Sequence, residues 1–319
     1  MKWFIPAKTF FLGEYAAIEG APAIILTTEP CFELTLTDEP NLLGIHPDSP
    51  AGRFWAQQGH VNHGLSWHDP YGGCGGLGAS SAQWLGAYYA SLHLQNKPFS
   101  RDDMLERYFE SAWQGIGMRP SGYDVLAQSL HGCVYIHREQ AQCNTYAWPF
   151  PDLAFILLHT GKKLATHHHL QSLTLTGKIQ QLANIVESAK NAFESADSER
   201  IIDAVNAYHQ ALCEQNLVAN HSLQLIDSLK NNSAILTIKG CGALGADVLL
   251  LLVPAKQLMS MRKYLLKRGL NVLATSEDLY FSRLNKRQRS RSARDNETNH
   301  ELFCDRVVDL KKDKHQTMP

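Results

Sequence analysis

Gly72-Gly73-Cys74-Gly75-Gly76-Leu77-Gly78-Ala79-Ser80-Ser81-Ala82 is the stretch that decides how this chain folds. Its glycines allow a tight turn with left-handed backbone and close approach to a ligand. Two hydroxyl residues follow, and from Ser81 to Leu94 a run of small and aromatic residues predicts a helix entered directly from the turn. A turn feeding a helix start can aim successive N–H groups, and the positive end of the helix, at a phosphate. The spacing is neither G-x-x-x-x-G-K-[ST] nor G-x-G-x-x-G, which disfavours those two nucleotide-binding classes. Helix N-capping is the purely structural role open to the serines, and it can coexist with phosphate contact.

Upstream, Cys31 to Thr37 (CFELTLT) alternates apolar and polar residues, the period of a half-buried strand, and the N-terminal part reads as β-rich. Downstream, Ser100 to Gln114 predicts a second helix, with Ser100 as N-cap and Asp102 and Asp103 in its first turn. Leu153 to His159 reads as a buried strand leading into a Thr-Gly-Lys-Lys turn, then a helical region from about Leu170 to Leu229. Ala234 to Ile238 and Val248 to Val253 are apolar runs of strand length around a second glycine-rich turn, expected to be paired central strands. The expectation is an α+β protein in two lobes, residues 1–150 and 151–281. Residues 282–319 carry ten Lys/Arg and six Asp/Glu with few apolar side chains, and read as a mobile, solvated tail, with contact to nucleic acid or an acidic partner as the other reading.

With 319 residues, 44% of them hydrophobic and 19% charged, the chain can bury a substantial core. A formal net charge of -1 provides no overall pull toward nucleic acid or an anionic membrane, so an anionic substrate must be held by a local cluster. Cys31, Cys74, Cys133, Cys143, Cys213, Cys241 and Cys304 are scattered and form no C-x-x-C pair, which suggests a reduced, cytoplasmic chain. The opening MKWFIPAKTFFLGEY is broken by Lys8 and Glu14 and reads as a first strand instead of a signal peptide. Val248 to Pro254, the longest strongly apolar run elsewhere, is far short of the roughly 20 residues that cross a bilayer.

Three ordered segments resemble the motifs of GHMP kinases. GGLGASSA at 75–82 resembles their phosphate loop, PAKTFFLGEYAAIEGAPAI at 6–24 resembles their first motif, and KGCGALGADVLL at 239–250 resembles their third. The resemblance implies the two-lobed GHMP kinase fold, with an N-terminal ATP-binding lobe, and the use of ATP with Mg²⁺. It assigns Gly75, Gly76, Leu77, Gly78, Ala79, Ser80, Ser81 and Ala82 to the phosphate cradle, with Ser81 also on the metal. In a fourth segment, SGYDVLAQSLHG at 121–132, it makes Asp124 the general base or orienting residue for the acceptor and puts Lys8 beside it. A neighbouring ammonium keeps such a carboxylate ionised and stabilises phosphoryl charge. The third motif departs from the pattern, with Leu244 and Ala246 where glycines are usual, so a reshaped loop is expected there.

Finer features bear on the acceptor. Glu14-Tyr15-Ala16, Gln114-Gly115 ahead of Ser121-Gly-Tyr-Asp-Val, and Asp247 closing the third motif resemble the phosphomevalonate kinases of this family. Trp113 stands where many mevalonate kinases place a metal-binding glutamate, eleven residues before the aspartate. The expected partner is therefore a small molecule, phosphomevalonate, with mevalonate as the second reading and a non-catalytic ligand-binding protein as the third. No nucleic acid or membrane partner is expected. Arg53, Arg119, Lys162 and Lys163 are the candidate cations for a substrate phosphate. His167-His168-His169 suggests a metal by composition, but consecutive side chains do not share a helix face, and a substrate-loop or surface role is favoured.

Overall fold

The computed structural model describes residues 1–162 and 179–281. Lys163, His167 to His169 and the charged tail from Ser282 lie outside the described residues. The β-rich N-terminal part forms a six-stranded sheet from β1 (Lys2–Leu12), β2 (Ala23–Thr37), β3 (Leu42–Leu43), β4 (Gly64–His68), β5 (Cys133–His137) and β6 (Gln142–Tyr146). The order is β3-β4-β2-β5-β6, with β1 also paired to β2. All pairings are antiparallel except β3 with β4. β2 starts well before the alternating stretch because residues 23–28 are buried, and a strand covered on both faces loses the period-2 signature.

Four helices accompany this sheet: α1 (Pro50–Gln57), α2 (Ala79–Gln95), α3 (Arg101–Ala112) and α4 (Tyr123–Gln128). α2 is the predicted helix after the glycine turn. It buries Trp84, Leu85, Ala87, Tyr88 and Ala90, and Trp84 stacks on Tyr88 with ring centroids 5.4 Å apart. α3 starts as expected, the Ser100 side chain accepting from the Asp103 N–H at 3.4 Å.

A second, four-stranded antiparallel sheet follows: β7 (Leu153–His159), β8 (Thr237–Cys241), β9 (Val248–Pro254) and β10 (Val272–Thr275), in the order β10-β7-β9-β8. The helices of this half are α5 (Ile179–Ser195), α6 (Ser198–Glu214), α7 (Asn220–Leu229) and α8 (Leu258–Lys267), and α5 also packs on the first sheet, where Tyr135 of β5 donates to Glu187 at 2.6 Å. The strand expected at 234–238 is displaced to Thr237–Cys241 and lies at the sheet's edge instead of its centre. Asn232 causes the displacement: its side chain accepts the Ala234 N–H at 3.0 Å and its carbonyl the Ile235 N–H at 2.9 Å, closing a turn.

One hydrophobic cluster runs from Trp3 in β1 to Leu252 in β9, so the two sheets share a core. A smaller cluster on the second sheet joins Ile156, Leu249 and Leu251 to Leu258, Met261 and Leu265 of α8. After β10 the chain returns to the first sheet, where Tyr280 donates to the Thr27 carbonyl and accepts from the Gly132 N–H, both at 2.8 Å. Among the described residues, no helix is long and apolar enough to cross a membrane.

Candidate active site

Lys8 projects from β1 and Asp124 from the first turn of α4, and their side chains meet with Lys8 Nζ 2.8 Å from Asp124 Oδ1. The lysine side chain is only 9% exposed and the aspartate 35%, so the pair forms a shielded cation beneath a carboxylate that reaches solvent. Tyr108 of α3 stands nearby: burial, and then the charge of Asp124, push its phenol well above the usual tyrosine value.

The glycine turn is built onto this pair. The Lys8 N–H donates to the Leu77 carbonyl at 3.0 Å, and Gly78, at φ +76°, is the N-cap of α2. A Cβ at Gly78 would lie 2.7 Å from Lys8 Cγ, so the lysine stem occupies the space that a side chain there would need. Ser80 is exposed on the first turn of the 17-residue α2, where free N–H groups and the helix dipole favour an anion. Ser81, expected on phosphate or metal, is 5% exposed, and its hydroxyl lies 2.7 Å from Gln128 Oε1 and 2.9 Å from the Gly78 carbonyl, turned into the loop. Ala82 is buried at the same point and supports the helix from inside.

Gln128 went unrecognised in the sequence. Fully buried, it donates to the Pro6 carbonyl at 2.9 Å and the Gly78 carbonyl at 3.1 Å while accepting from Ser81. It thereby joins the strand of Lys8, the glycine turn and the helix of Asp124. Its only signal was position, four residues after Asp124 and so on the same face of the helix.

The third-motif segment closes the other side. A Cβ at Gly75 would lie 2.5 Å from Asp247 Oδ2, and one at Gly76 2.8 Å from Val248 Cγ2, so the two glycine-rich turns lie against each other. Leu244 adopts the left-handed conformation expected of a glycine, φ +57°, while Ala246 has an ordinary helical backbone, φ −80°. The strained Leu244 is held from both sides: its N–H donates to Tyr15 Oη at 2.7 Å and its carbonyl accepts the Ala219 N–H at 2.8 Å. Burial pushes the Tyr15 phenol up to about 12. Thr160 of the Thr-Gly-Lys turn also joins the loop, donating its N–H to the Asp247 carbonyl at 3.0 Å.

Beneath the loop, Lys239 Nζ lies 3.0 Å from Glu14 Oε1, with both side chains essentially inaccessible. Burial opposes the lysine's charge, but Cys241 and Glu14 beside it hold its pKa above the usual lysine value.

The candidate phosphate cations separate clearly. Arg53 is committed to the protein, its guanidinium bonded to the Ser111 carbonyl at 2.7 and 3.1 Å and to the Asp48 carbonyl. Arg119 is exposed, its guanidinium 4.0 Å from the centroid of the Phe109 ring. Phe109 packs on Gly122, the N-cap of α4, which puts Arg119 one aromatic layer from the segment that carries Asp124. Lys162 is exposed beside Thr160. Trp113 donates its indole N–H to the Gly117 carbonyl at 3.2 Å. No group of three or more His, Cys, Asp or Glu suited to a metal occurs among the described residues.

No protein-family model and no curated protein matches the sequence. Solved structures do match. Streptococcus pneumoniae phosphomevalonate kinase, in complex with phosphomevalonate and AMPPNP, is 15% identical with a TM-score of 0.72, over 86% of this chain and 99% of that one. Methanococcus jannaschii mevalonate kinase is 14% identical with a TM-score of 0.68, over 88% and 98%. Lactococcus lactis galactokinase, complexed with galactose, is 11% identical with a TM-score of 0.67, over 85% and 92%. The chain thus has the two-lobed α+β fold of the GHMP kinases.

Proposed function

We propose that this protein is an ATP-dependent small-molecule kinase, and that its acceptor is phosphomevalonate. The observation that carries the reading is the 2.8 Å Lys8–Asp124 pair, set against a glycine turn whose backbone packs on the lysine itself. Phosphoryl transfer requires mainly alignment and charge neutralisation, and this arrangement supplies both with few side chains.

ATP would lie with its phosphates at the Gly75–Ala79 turn and the start of α2, within reach of the Ser80 hydroxyl. Mg²⁺ would be carried mainly on the nucleotide phosphates, with the oxygens of Ser80 and Asp124 as the protein groups that would hold it, in keeping with its habit of retaining water and phosphate ligands. When bound, it neutralises charge on the phosphates. An acceptor phosphate oxygen attacks the γ-phosphorus, the bond to the β–γ bridging oxygen breaks, and ADP leaves with that electron pair. A phosphate oxygen is already largely deprotonated near neutral pH, so Asp124 orients the acceptor while Lys8 stabilises phosphoryl charge. Arg119 is the cation we assign to the acceptor's own phosphate, since it is exposed with its guanidinium over the Phe109 ring, whereas that of Arg53 is bonded to backbone carbonyls.

Mevalonate is the second reading, supported by the same pair, because a hydroxyl acceptor would use Asp124 as a base. The test is ADP release with Mg-ATP, comparing the two acceptors over a range of concentrations. A strong preference for phosphomevalonate is expected. Preference for mevalonate would overturn the acceptor, and no turnover with either would overturn the activity.

A further inference from the structure

Glu14 and Lys239 are 225 residues apart in sequence and meet in the interior, with 2% and 0% side-chain exposure. Glu14 follows β1 and lies six residues after Lys8, while Lys239 lies in β8, eight residues before Asp247. One end of the pair therefore belongs to the segment that carries the shielded cation, and the other to the segment that closes over the glycine turn. Tyr15, next to Glu14, makes a second tie in the same direction through its 2.7 Å bond from the Leu244 N–H.

The pair is poorly arranged for stability alone. Removing two charges from water costs several kcal/mol per ion, and well-packed uncharged replacements are often neutral or stabilising. One carboxylate oxygen, Glu14 Oε2, is buried with no hydrogen-bond partner, and the third motif holds Leu244 in a conformation that a leucine adopts only under constraint. What the pair does provide is direction: a short, charged link of defined length between the end of β1 and β8, whose following loops must keep register to within a fraction of an ångström.

We infer that Glu14 and Lys239 are positioning residues, a cross-sheet pin that holds the 242–247 loop against the Gly75–Gly78 turn in register with Lys8. The effect on turnover rests on the kinase reading; the effect on the loop does not.

The test uses the full chain carrying Glu14→Gln with Lys239→Met, which removes both charges at nearly constant volume. The melting temperature is expected to stay within about 5 °C of wild type. Amide hydrogen exchange across 242–247 is expected to accelerate about tenfold or more. With Mg-ATP and the better of the two acceptors, kcat should fall about tenfold while the acceptor KM changes less than about threefold, a split of the kind that loss of alignment produces. Wild-type exchange and wild-type kcat in a folded double variant would overturn the inference.

Should the double variant not fold, Glu14→Asp keeps both charges and shortens the arm by one methylene. Faster loop exchange is expected there too, and unchanged exchange would overturn the pin. A wild-type protein without turnover would remove the kinase reading, while the exchange measurement would still decide this inference.

Discussion

Replacing Gly78 with alanine tests whether the glycine turn places Lys8, and Gly72 supplies the matched control. Both glycines have positive φ, +76° and +60°, so an alanine at either pays the left-handed backbone penalty of about 1–2 kcal/mol. They differ in what the new methyl meets. At Gly72 nothing lies within 4 Å, whereas at Gly78 it would sit 2.7 Å from Lys8 Cγ and 2.8 Å from Lys8 Cε. Ordinary carbon contacts begin near 3.5 Å, so the lysine stem must move by about 0.7 Å or more, carrying an ammonium now 2.8 Å from Asp124. Misplacement by about 1 Å can lower turnover by about a hundredfold. The assay is ADP release alongside thermal melting. Gly78→Ala should lose about 10- to 100-fold in kcat and Gly72→Ala less than about threefold, while both lose some stability. Wild-type turnover in Gly78→Ala, or equal losses in both variants, would refute the reasoning.

Asp124→Asn and Lys8→Met should each lower turnover at least about a hundredfold with the fold intact by circular dichroism, the range of general-base and electrostatic terms. Arg119→Ala should raise the KM for phosphomevalonate about tenfold or more and leave that for ATP nearly unchanged in steady-state kinetics, the size of a lost charge-assisted contact. Gln128→Leu removes the side-chain donor to the buried Pro6 carbonyl and the acceptor of the Ser81 hydroxyl, while the Gly78 carbonyl keeps the Ala82 N–H, and should destabilise the protein by about 2–4 kcal/mol in urea denaturation. Tyr15 favours its neutral form in the fold, with a pKa near 12 against 10 when unfolded, so its contribution is complete below pH 10 and is lost as pH rises toward 12. The stability advantage of wild type over Tyr15→Phe should accordingly shrink by about 1.3 kcal/mol between pH 9 and pH 11, measured by urea denaturation.

Much of the site was legible because its chemistry is local. The turn from Gly75 to Gly78 and the start of α2 need only neighbours in sequence, and the Ser100 cap likewise involves residues three apart. The half-buried end of β2, Cys31 to Thr37, announced itself by alternation. β8 did not, because its first expected residues fold into the Asn232 turn and a charged residue, Lys239, occupies its centre. Nothing in the neighbourhood of Lys239 shows that its charge is met by Glu14, so its pattern reads as a turn and its position as a strand becomes evident only once the two sheets are packed.

The same distinction separates the two serines and the two candidate arginines. Composition marks Ser80 and Ser81 as equivalent, and Arg53 and Arg119 as two more positive charges. Which hydroxyl faces outward depends on Gln128 accepting from Ser81, and which guanidinium stays available depends on the Ser111 carbonyl holding Arg53. Sequence by itself determined the α+β class of the fold, since backbone propensity and periodicity act over a few residues, and its resemblance to the GHMP kinases set the order of the three glycine-containing segments. Tertiary structure alone decided which side chains are shielded, paired or free to meet a ligand, because burial and ion pairing depend on residues brought together from opposite ends of the chain.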